Sequence, residues 1–282
     1  MKIISRGLFA LLACGFMAGS ACVHAERDMT EESMNPLSTV ISIPFENNTL
    51  FNLGPSDSTA NVLNIKPIFP VRMGDLNLIN RVTIPIAYTE GQDIDIPGDI
   101  NWGGANPGSL GLGSAFGLAD ITYQGFITPK KAGEVAWGLG GSLVVPTHTE
   151  ARFGTDKWSA GPAVVGFTTP GNWVIGMIAQ NIWSFAGDSE AADVNVFSTQ
   201  LAVNYKLKSG WYLTSAPLIV ANWEADKEER WTVPIGGGVG RLFKLDQKVM
   251  AVDVGAYYNV EKPRFANDWY LQILVNFLLP KR

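Results

Sequence analysis

The sequence predicts an all-β transmembrane antiparallel β-barrel of about twelve strands, with short periplasmic turns and longer external loops. Short segments that alternate apolar and polar residues recur along the chain, as strands with two different faces require. The connections between them alternate between tight turns and longer loops, which is the layout of outer-membrane barrels. Hydrophobic residues make up 46% of the chain. Beyond residue 25, however, no apolar run reaches the ~18 residues of a membrane-spanning helix.

Residues 1–25 are interpreted as a secretory signal peptide that is removed after export. Lys2 and Arg6 precede the apolar stretch GLFALLACGFMAG, and the small-residue sequence VHA provides a cleavage site. Both cysteines of the chain, Cys14 and Cys22, fall inside this segment, so the chain after it has no thiol for a disulfide, a zinc site or a nucleophile. The sequence GSAC ending at Cys22 leaves lipidation open as an alternative.

Three regions are predicted: the signal peptide over 1–25, a short periplasmic tail over 26–37 and the barrel over 38–282. The polar tail is too short to form a plug domain. Removing Lys2 and Arg6 with the signal peptide changes the formal net charge from −5 to −7. An acidic chain of this kind argues against nucleic acid as a partner.

Twelve alternating segments are predicted, with ten or fourteen strands as alternatives. An even number of strands places both termini of the barrel on the periplasmic side. The predicted segments begin near Ser38, Asn61, Leu76, Ala119, Val135, Ser159, Trp173, Val194, Trp211, Arg230, Lys248 and Asp268.

The tryptophans are predicted to form two aromatic girdles at the membrane–water interfaces. On the strand map, one group lies at or near the short-turn ends and another at or near the long-loop ends, as interfacial tryptophans do in barrels. Aromatic residues that merely flank turns are the alternative. The girdle residues are Trp137, Trp173 and Trp211 at the first position and Trp183, Trp223, Trp231 and Trp269 at the second.

The last segment, DWYLQILVNF, alternates from Trp269 to Phe277 and ends on an aromatic residue. It resembles the C-terminal strand that marks outer-membrane proteins for assembly, which implies the barrel-assembly machinery as a partner. It departs from the usual form because LLPKR follows Phe277.

The glycine-rich stretch WTVPIGGGVGRLFKL, residues 231–245, is interpreted as strand rather than as a phosphate loop. A phosphate loop ends in Gly-Lys-Ser/Thr and is followed by a helix, whereas this stretch continues with Arg241 and further strand pattern. Gly236, Gly238 and Gly240 are expected to face the lumen, where they make room or let the wall bend. Six prolines inside predicted strands are the evidence against a regular ladder. They are Pro44, Pro67, Pro70, Pro85, Pro217 and Pro234.

Charged and polar residues that face the lumen are the candidate functional residues, because interior side chains set the selectivity of a barrel. Glu46, Lys66 and Arg81 are expected at mid-height on the first three strands, forming a constriction with acidic and basic walls. The alternative is that these three residues pair across strands and fill a narrow lumen. The full set of pore-lining candidates is Glu46, Lys66, Arg72, Arg81, Asp120, Asp253, Tyr257 and Gln272.

No catalytic residue, metal ligand or cofactor is predicted. The loop over 89–118 carries Asp93, Asp95 and Asp99, but their spacing matches no calcium loop, so a mobile loop or a gate is expected. A lipase-type enzyme is the less favoured alternative. Its base would have to be His148, which lies in a predicted loop where THTEARFG lacks the His-x-Ser-Asn-Gly pattern.

Several stretches resemble a bacterial family of outer-membrane transporters often labelled "neuromedin U", related to channel proteins of the meta-pathway of phenol degradation. They include PFENNTLFNLGPSDSTANVLNIKPIFPV, GTDKWSAGP, NIWSFAGD, GWYLTSAPLIVANWEAD, RWTVPIGGGVGR and AYYNVEKP. The resemblance covers nearly the whole chain after the signal peptide. It implies an outer-membrane barrel with a transport role, and it brings no catalytic residues.

The function expected from the sequence is passive passage of small molecules across the bacterial outer membrane. The resemblance implies small aromatic or hydrophobic compounds as solutes, whereas the charged lumen residues favour ions or polar solutes. A structural or adhesive barrel that acts through its external loops is the alternative. Besides the solute, the expected partners are outer-membrane lipids.

Overall fold

The computed structural model describes residues 33–35, 37, 40–91, 113–130, 133–245 and 248–279. It confirms a closed antiparallel barrel of twelve strands. The strands are β1 (Ile41–Leu53), β2 (Ser58–Ile65 and Ile68–Met73), β3 (Leu76–Thr89), β4 (Ala115–Leu118 and Ile121–Pro129), β5 (Val135–Val145), β6 (Lys157–Thr168), β7 (Trp173–Gly187), β8 (Asn195–Lys206), β9 (Trp211–Ser215 and Leu218–Asn222), β10 (Trp231–Leu245), β11 (Lys248–Glu261) and β12 (Trp269–Leu279).

Within the described residues, two 3₁₀ turns occur, Ala151–Phe153 and Lys208–Gly210, and Ser33 and Met34 are helical. Across the described ranges, no helix is long and apolar enough to span a membrane. The predicted signal peptide, residues 1–25, and most of the 89–118 loop lie outside the described residues.

Pairing of the first strand with the last closes the barrel. The register runs from Ile41 opposite Leu279 to Phe51 opposite Trp269, so the ladder extends over nearly all of both strands. At the long-loop end of this seam, Asn52 Nδ2 donates to Asp268 Oδ2 at 3.0 Å, and the ammonium of Lys262 lies 3.1 Å from the other carboxylate oxygen. These two contacts hold the pKa of Asp268 below its ordinary value.

Each strand presents one face to the lumen and one to the outside, as the alternation predicts. On β7, Val174 and Ile182 point inward and are almost fully buried. Trp173, Met177 and Trp183 of the same strand point outward and are exposed. A barrel in lipid shows this pattern: its outer wall exposes apolar residues, and its inner wall carries the opposite face of each strand.

The in-strand prolines lie at irregular positions of the ladder or near them. Pro67 and Pro217 occupy the interruptions of β2 and β9, and Pro234 lies where the β10–β11 register shifts. The carbonyl of Pro85 accepts the N–H of Ala119, where β4 is interrupted. A proline has no N–H to donate, so breaks and bulges are where a sheet tolerates it.

One glycine of β10, Gly240, lies beneath a tyrosine that braces three strands. Tyr212 on β9, Gly240 on β10 and Asp253 on β11 form one row across the sheet. The tyrosine ring crosses over the glycine, and its hydroxyl donates to Asp253 Oδ2 at 3.0 Å. A Cβ at Gly240 would lie 2.2 Å from the tyrosine Cζ, so a side chain there is excluded. The stretch is therefore strand, as predicted.

Gly240→Ala is expected to destabilise the barrel by about 1–3 kcal/mol, because the ring of Tyr212 must leave its position and its hydrogen bond to Asp253. Urea-induced unfolding in lipid vesicles measures the loss. Gly166→Ala is the matched control, since a Cβ at that position meets nothing within 4 Å. Equal urea midpoints of unfolding for the two variants would contradict a stabilising role of the Tyr212–Asp253 brace.

Candidate transport pathway

The lumen contains two adjacent cavities. The cavity toward the long loops has about 1450 Å³ of empty space, including the part open to solvent, and the cavity toward the short turns has about 950 Å³. We call them the long-loop cavity and the short-turn cavity. Seven residues line both cavities and thus mark where they meet. This mid-height ring consists of Glu46, Lys66, Arg81, Ile178, Gln200, Ala216 and Gln272.

One side of the mid-height ring is charged and the other is neutral. Glu46 and Arg81 lie on β1 and β3, and Lys66 lies between them at the interruption of β2. On the other side, Ile178 lies on β7 and Ala216 at the interruption of β9. The ammonium of Lys66 lies 2.7 Å from Glu46 Oε1. Arg81 also interacts electrostatically with Glu46. Two cations therefore share one carboxylate.

The charged side matches both alternatives drawn from the sequence. Glu46 and Lys66 pair across strands, and all three residues line the place where the cavities meet. Their predicted role in selectivity is a separate matter and stays a prediction.

Amide side chains line the wall next to the charged residues. Gln124 on β4 donates to Gln180 on β7 at 2.7 Å, which joins two strands that are not neighbours. The strands between them carry small inward residues such as Gly140 and Ser142, so the glutamines meet over a hollow in the wall. Gln272 donates to Asn48 at 3.0 Å. These groups have spare donors and acceptors that face the lumen.

Asp253 and Tyr257 lie on β11, and each forms a side-chain contact with β9 or its interruption. Asp253 lines the short-turn cavity and accepts the hydroxyl of Tyr212. The hydroxyl of Tyr257 accepts the N–H of Ala216, whose strand is interrupted at this point, and its ring stacks on Tyr270 at 4.9 Å. Asp253 therefore faces the short-turn cavity, whereas Tyr257 is buried and links β11 to the interruption of β9.

Arg72 does not join the other candidates. It is exposed at the short-turn end of β2 and lines neither cavity. The predicted inward orientation agrees with its register, because its partner Asn77 is buried, but the position lies beyond the cavities.

The segment before β1 enters the short-turn cavity. Ser33, Met34 and Asn35 line it, and Asn276 on β12 donates to the Ser33 carbonyl at 3.2 Å. Leu37 is buried in an apolar cluster inside the wall with Ile68, Ile79, Phe126, Ala163 and Val165. Sequence reasoning assigned this segment to a periplasmic tail. The few apolar side chains of this segment, Met29, Met34 and Leu37, are too weak a signal to predict where it packs.

Asp120 anchors the β5–β6 loop to the barrel wall. Its Oδ1 accepts the backbone N–H groups of Thr147 and His148, and its Oδ2 accepts that of Thr155. The Nδ1 atom of His148 lies 2.7 Å from the same carboxylate. Asp120 also lines the long-loop cavity, but four donors occupy its oxygens. Its predicted role in lining a pore stays a prediction.

His148 contacts carboxylates with both ring nitrogens. Its Nδ1 lies 2.7 Å from Asp120 Oδ1, and its Nε2 lies 3.2 Å from Asp156 Oδ1. These two contacts are with carboxylates and not with a hydroxyl nucleophile. In the part of the chain that the structure covers, no group of three or more His, Cys, Asp or Glu residues could hold a metal ion.

The anchored loop covers the outermost lumen with an apolar side chain. Phe153 is fully buried at the long-loop ends of β1 to β4. It packs into a cluster of inward residues that comprises Leu53, Ala60, Val62, Ala87, Ala115 and Ala119.

The predicted girdle tryptophans lie at the two ends of the strands. Trp137, Trp173 and Trp211 are exposed near the short turns, and Trp183 and Trp269 are exposed near the long loops. Trp223 and Trp231 meet edge to face at 5.6 Å at the long-loop end as well. Their contact with a membrane interface stays a prediction.

A closed twelve-stranded barrel with an apolar outer wall and a polar lumen defines the class of outer-membrane β-barrels. A family model described as "Putative MetA-pathway of phenol degradation" matches residues 52–273, and the chain belongs to that family. The relation to the meta-pathway of phenol degradation is thereby confirmed. The label "neuromedin U" has no support beyond the resemblance. No curated protein sequence matches the chain.

One solved structure shares the fold, and two others are similar to the chain at lower TM-scores. An outer membrane channel from Pseudomonas putida F1 superposes with a TM-score of 0.62 at 15% identity, covering 87% of this chain and 98% of that one. The CymD monoaromatic hydrocarbon channel superposes with a TM-score of 0.43 at 7% identity, covering 91% of this chain and 92% of that one. The toluene transporter TodX of P. putida superposes with a TM-score of 0.40 at 8% identity, covering 90% of this chain and 92% of that one.

Asp120→Asn is expected to loosen the β5–β6 loop, because an amide in place of the carboxylate cannot accept from all four donors. Cleavage by trypsin after Arg152 should become about tenfold faster, since hydrogen bonds to a charged group contribute about 1.5 kcal/mol or more each. Limited proteolysis in detergent measures the rate. Asp156→Asn, which alters only the exposed contact to His148, is the control. Unchanged cleavage in Asp120→Asn would show that the loop is held by Phe153 instead.

Proposed function

We propose that the protein is an outer-membrane channel through which small molecules cross passively. The observation that carries the proposal is the pair of cavities that meet at the mid-height ring inside a closed barrel. Short turns of outer-membrane barrels face the periplasm, so the long-loop cavity would receive solute from outside. The family description and the outer-membrane location implied by the fold support the proposal.

The solutes that fit this lumen combine a small apolar body with a polar group. Amide and hydroxyl side chains such as Asn64, Thr122 and Gln200 line the long-loop cavity, together with apolar side chains such as Leu50 and Leu218. A pure hydrocarbon would strip water from the polar groups without replacing its hydrogen bonds. A small aromatic compound that carries a hydroxyl or carboxyl group satisfies both kinds of wall.

The charged residues of the mid-height ring would set the selectivity of the channel. Lys66 and Arg81 outnumber Glu46 on one side of the ring, and the opposite side carries no charge. Water in a narrow lumen screens charge less than bulk water does, so an unbalanced cation acts strongly on a passing ion.

Single-channel recording in planar bilayers tests the proposal with the refolded chain from Glu26 onward. Discrete openings are expected. Current interruptions are expected on addition of phenol or benzoate, and fewer on addition of toluene at equal concentration. A silent membrane that contains inserted protein would overturn the channel and favour a barrel that acts through its external loops. Equal interruption by toluene would overturn the solute class.

Lys66→Gln and Arg81→Gln should each lower the anion-to-cation permeability ratio by roughly threefold to tenfold, because each removes one positive charge at the meeting point of the cavities. The reversal potential in a salt gradient measures the ratio. Arg264→Gln removes an exposed cation outside the lumen and serves as the control. If all three variants match the original chain, the ring does not act on permeating ions.

A further inference from the structure

Arg241 lies on the outer wall of the barrel between two aromatic rings. It is exposed near the short-turn end of β10, opposite Trp211 of β9. Its guanidinium carbon lies 5.2 Å from the ring centre of Trp211 and 5.3 Å from that of Phe243. Stacking of this kind fixes the plane of the guanidinium and leaves its N–H edge available. Within the described ranges, no carboxylate forms an ion pair with it.

The two turns next to Arg241 are strongly basic. The segments 206–211 and 241–248, KLKSGW and RLFKLDQK, contain five lysine or arginine residues and a single acid. Lys208 and Lys244 are exposed, as Arg241 is. The external loops have the opposite character, for example DSEAAD over 188–193. Lys206 is buried, so the positive charge that the structure shows exposed at this part of the rim is that of Lys208, Arg241 and Lys244.

An apolar strip continues from Arg241 toward the middle of the outer wall. Leu213 and Val239 face each other across β9 and β10, directly above the pair formed by Trp211 and Arg241. Both are exposed on the outer wall. The next outward positions are Ser215 and Gly237, which carry little or no side chain. The strip has the direction and the chemistry that an acyl chain requires.

We propose that this sector binds an anionic phospholipid of the periplasmic leaflet. The site consists of Arg241, Trp211, Phe243, Leu213 and Val239. The N–H edge of Arg241 donates to the phosphodiester oxygens, and one acyl chain lies along Leu213 and Val239. A stacked guanidinium is suited to this role because its fork matches two phosphate oxygens at once. The inference rests on the proposed membrane location and goes beyond the proposed transport.

Native mass spectrometry of the folded chain in detergent tests the site. The protein is incubated with phosphatidylglycerol or with phosphatidylcholine of the same acyl chains, and retained lipid is counted after gas-phase activation. The original chain should retain phosphatidylglycerol about fivefold better than phosphatidylcholine, because one basic residue near an anionic membrane surface strengthens binding on the order of fivefold. Arg241→Met should abolish this difference in retention. Methionine keeps the apolar stem and removes only the charge.

Arg230→Met is the matched control, since Arg230 also stacks on a tryptophan, Trp223, at the opposite end of the barrel. It should retain phosphatidylglycerol as the original chain does. Loss of retention in both variants, or in neither, would overturn the site. Displacement of the lipid by millimolar inorganic phosphate would also overturn it, because the site would then recognise a free anion.

Two further measurements separate this inference from the proposed function. Channel recordings of Arg241→Met should match those of the original chain, since Arg241 lies outside the lumen. A conducting chain with no lipid preference contradicts the lipid site alone, and a silent chain that prefers phosphatidylglycerol contradicts the channel alone. If Arg241→Met does not fold, as judged by its heat-dependent gel mobility, Arg241→Gln replaces it in the same comparison, and equal retention of the two lipids by the original chain overturns the site in any case.

Discussion

The closed ladder of backbone hydrogen bonds is the constraint on which the rest of this structure depends. Lipid offers no partner to a backbone N–H or C=O group, so every strand of the wall needs a neighbour on both sides. The pairing of β1 with β12 removes the last free edge. Everything irregular in the wall has to be arranged without opening that ladder. The prolines meet this requirement by lying at interruptions, such as Pro67 and Pro217, or near them.

The interruptions in turn create the features of the lumen. Where β9 breaks at Ala216 and Pro217, the N–H of Ala216 turns to the hydroxyl of Tyr257 instead of a neighbouring strand. Where β4 is interrupted at Asp120, the carboxylate accepts hydrogen bonds from backbone N–H groups of the β5–β6 loop. A small ladder defect is thus converted into a side-chain contact that links distant strands or a loop. Such contacts stiffen the wall at the heights where the cavities lie.

Strands and inward residues could be predicted from the sequence because both depend on local signals. Alternation and turn residues located the twelve strands, and parity along each strand placed Glu46, Lys66 and Arg81 on one face at similar heights. The anchoring role of Asp120 could not be predicted, since its partners are backbone N–H groups about 30 residues away that no side chain identifies. The same holds for Tyr212, whose brace depends on the absence of a side chain at Gly240 on another strand.

The distribution of apolar residues inside the barrel bears on its purpose. At the long-loop end, Phe153 and its neighbours form a buried apolar cluster, which shows that this sequence can fill part of a barrel interior with apolar side chains. At mid-height it instead holds Glu46, Lys66 and Arg81 among amides. Buried charges contribute little to stability compared with apolar packing, and breaking such a pair is costly. Stability alone would therefore favour extending the apolar cluster toward mid-height. A charged, amide-lined middle agrees with the proposed channel, in which water and solute would reach these side chains.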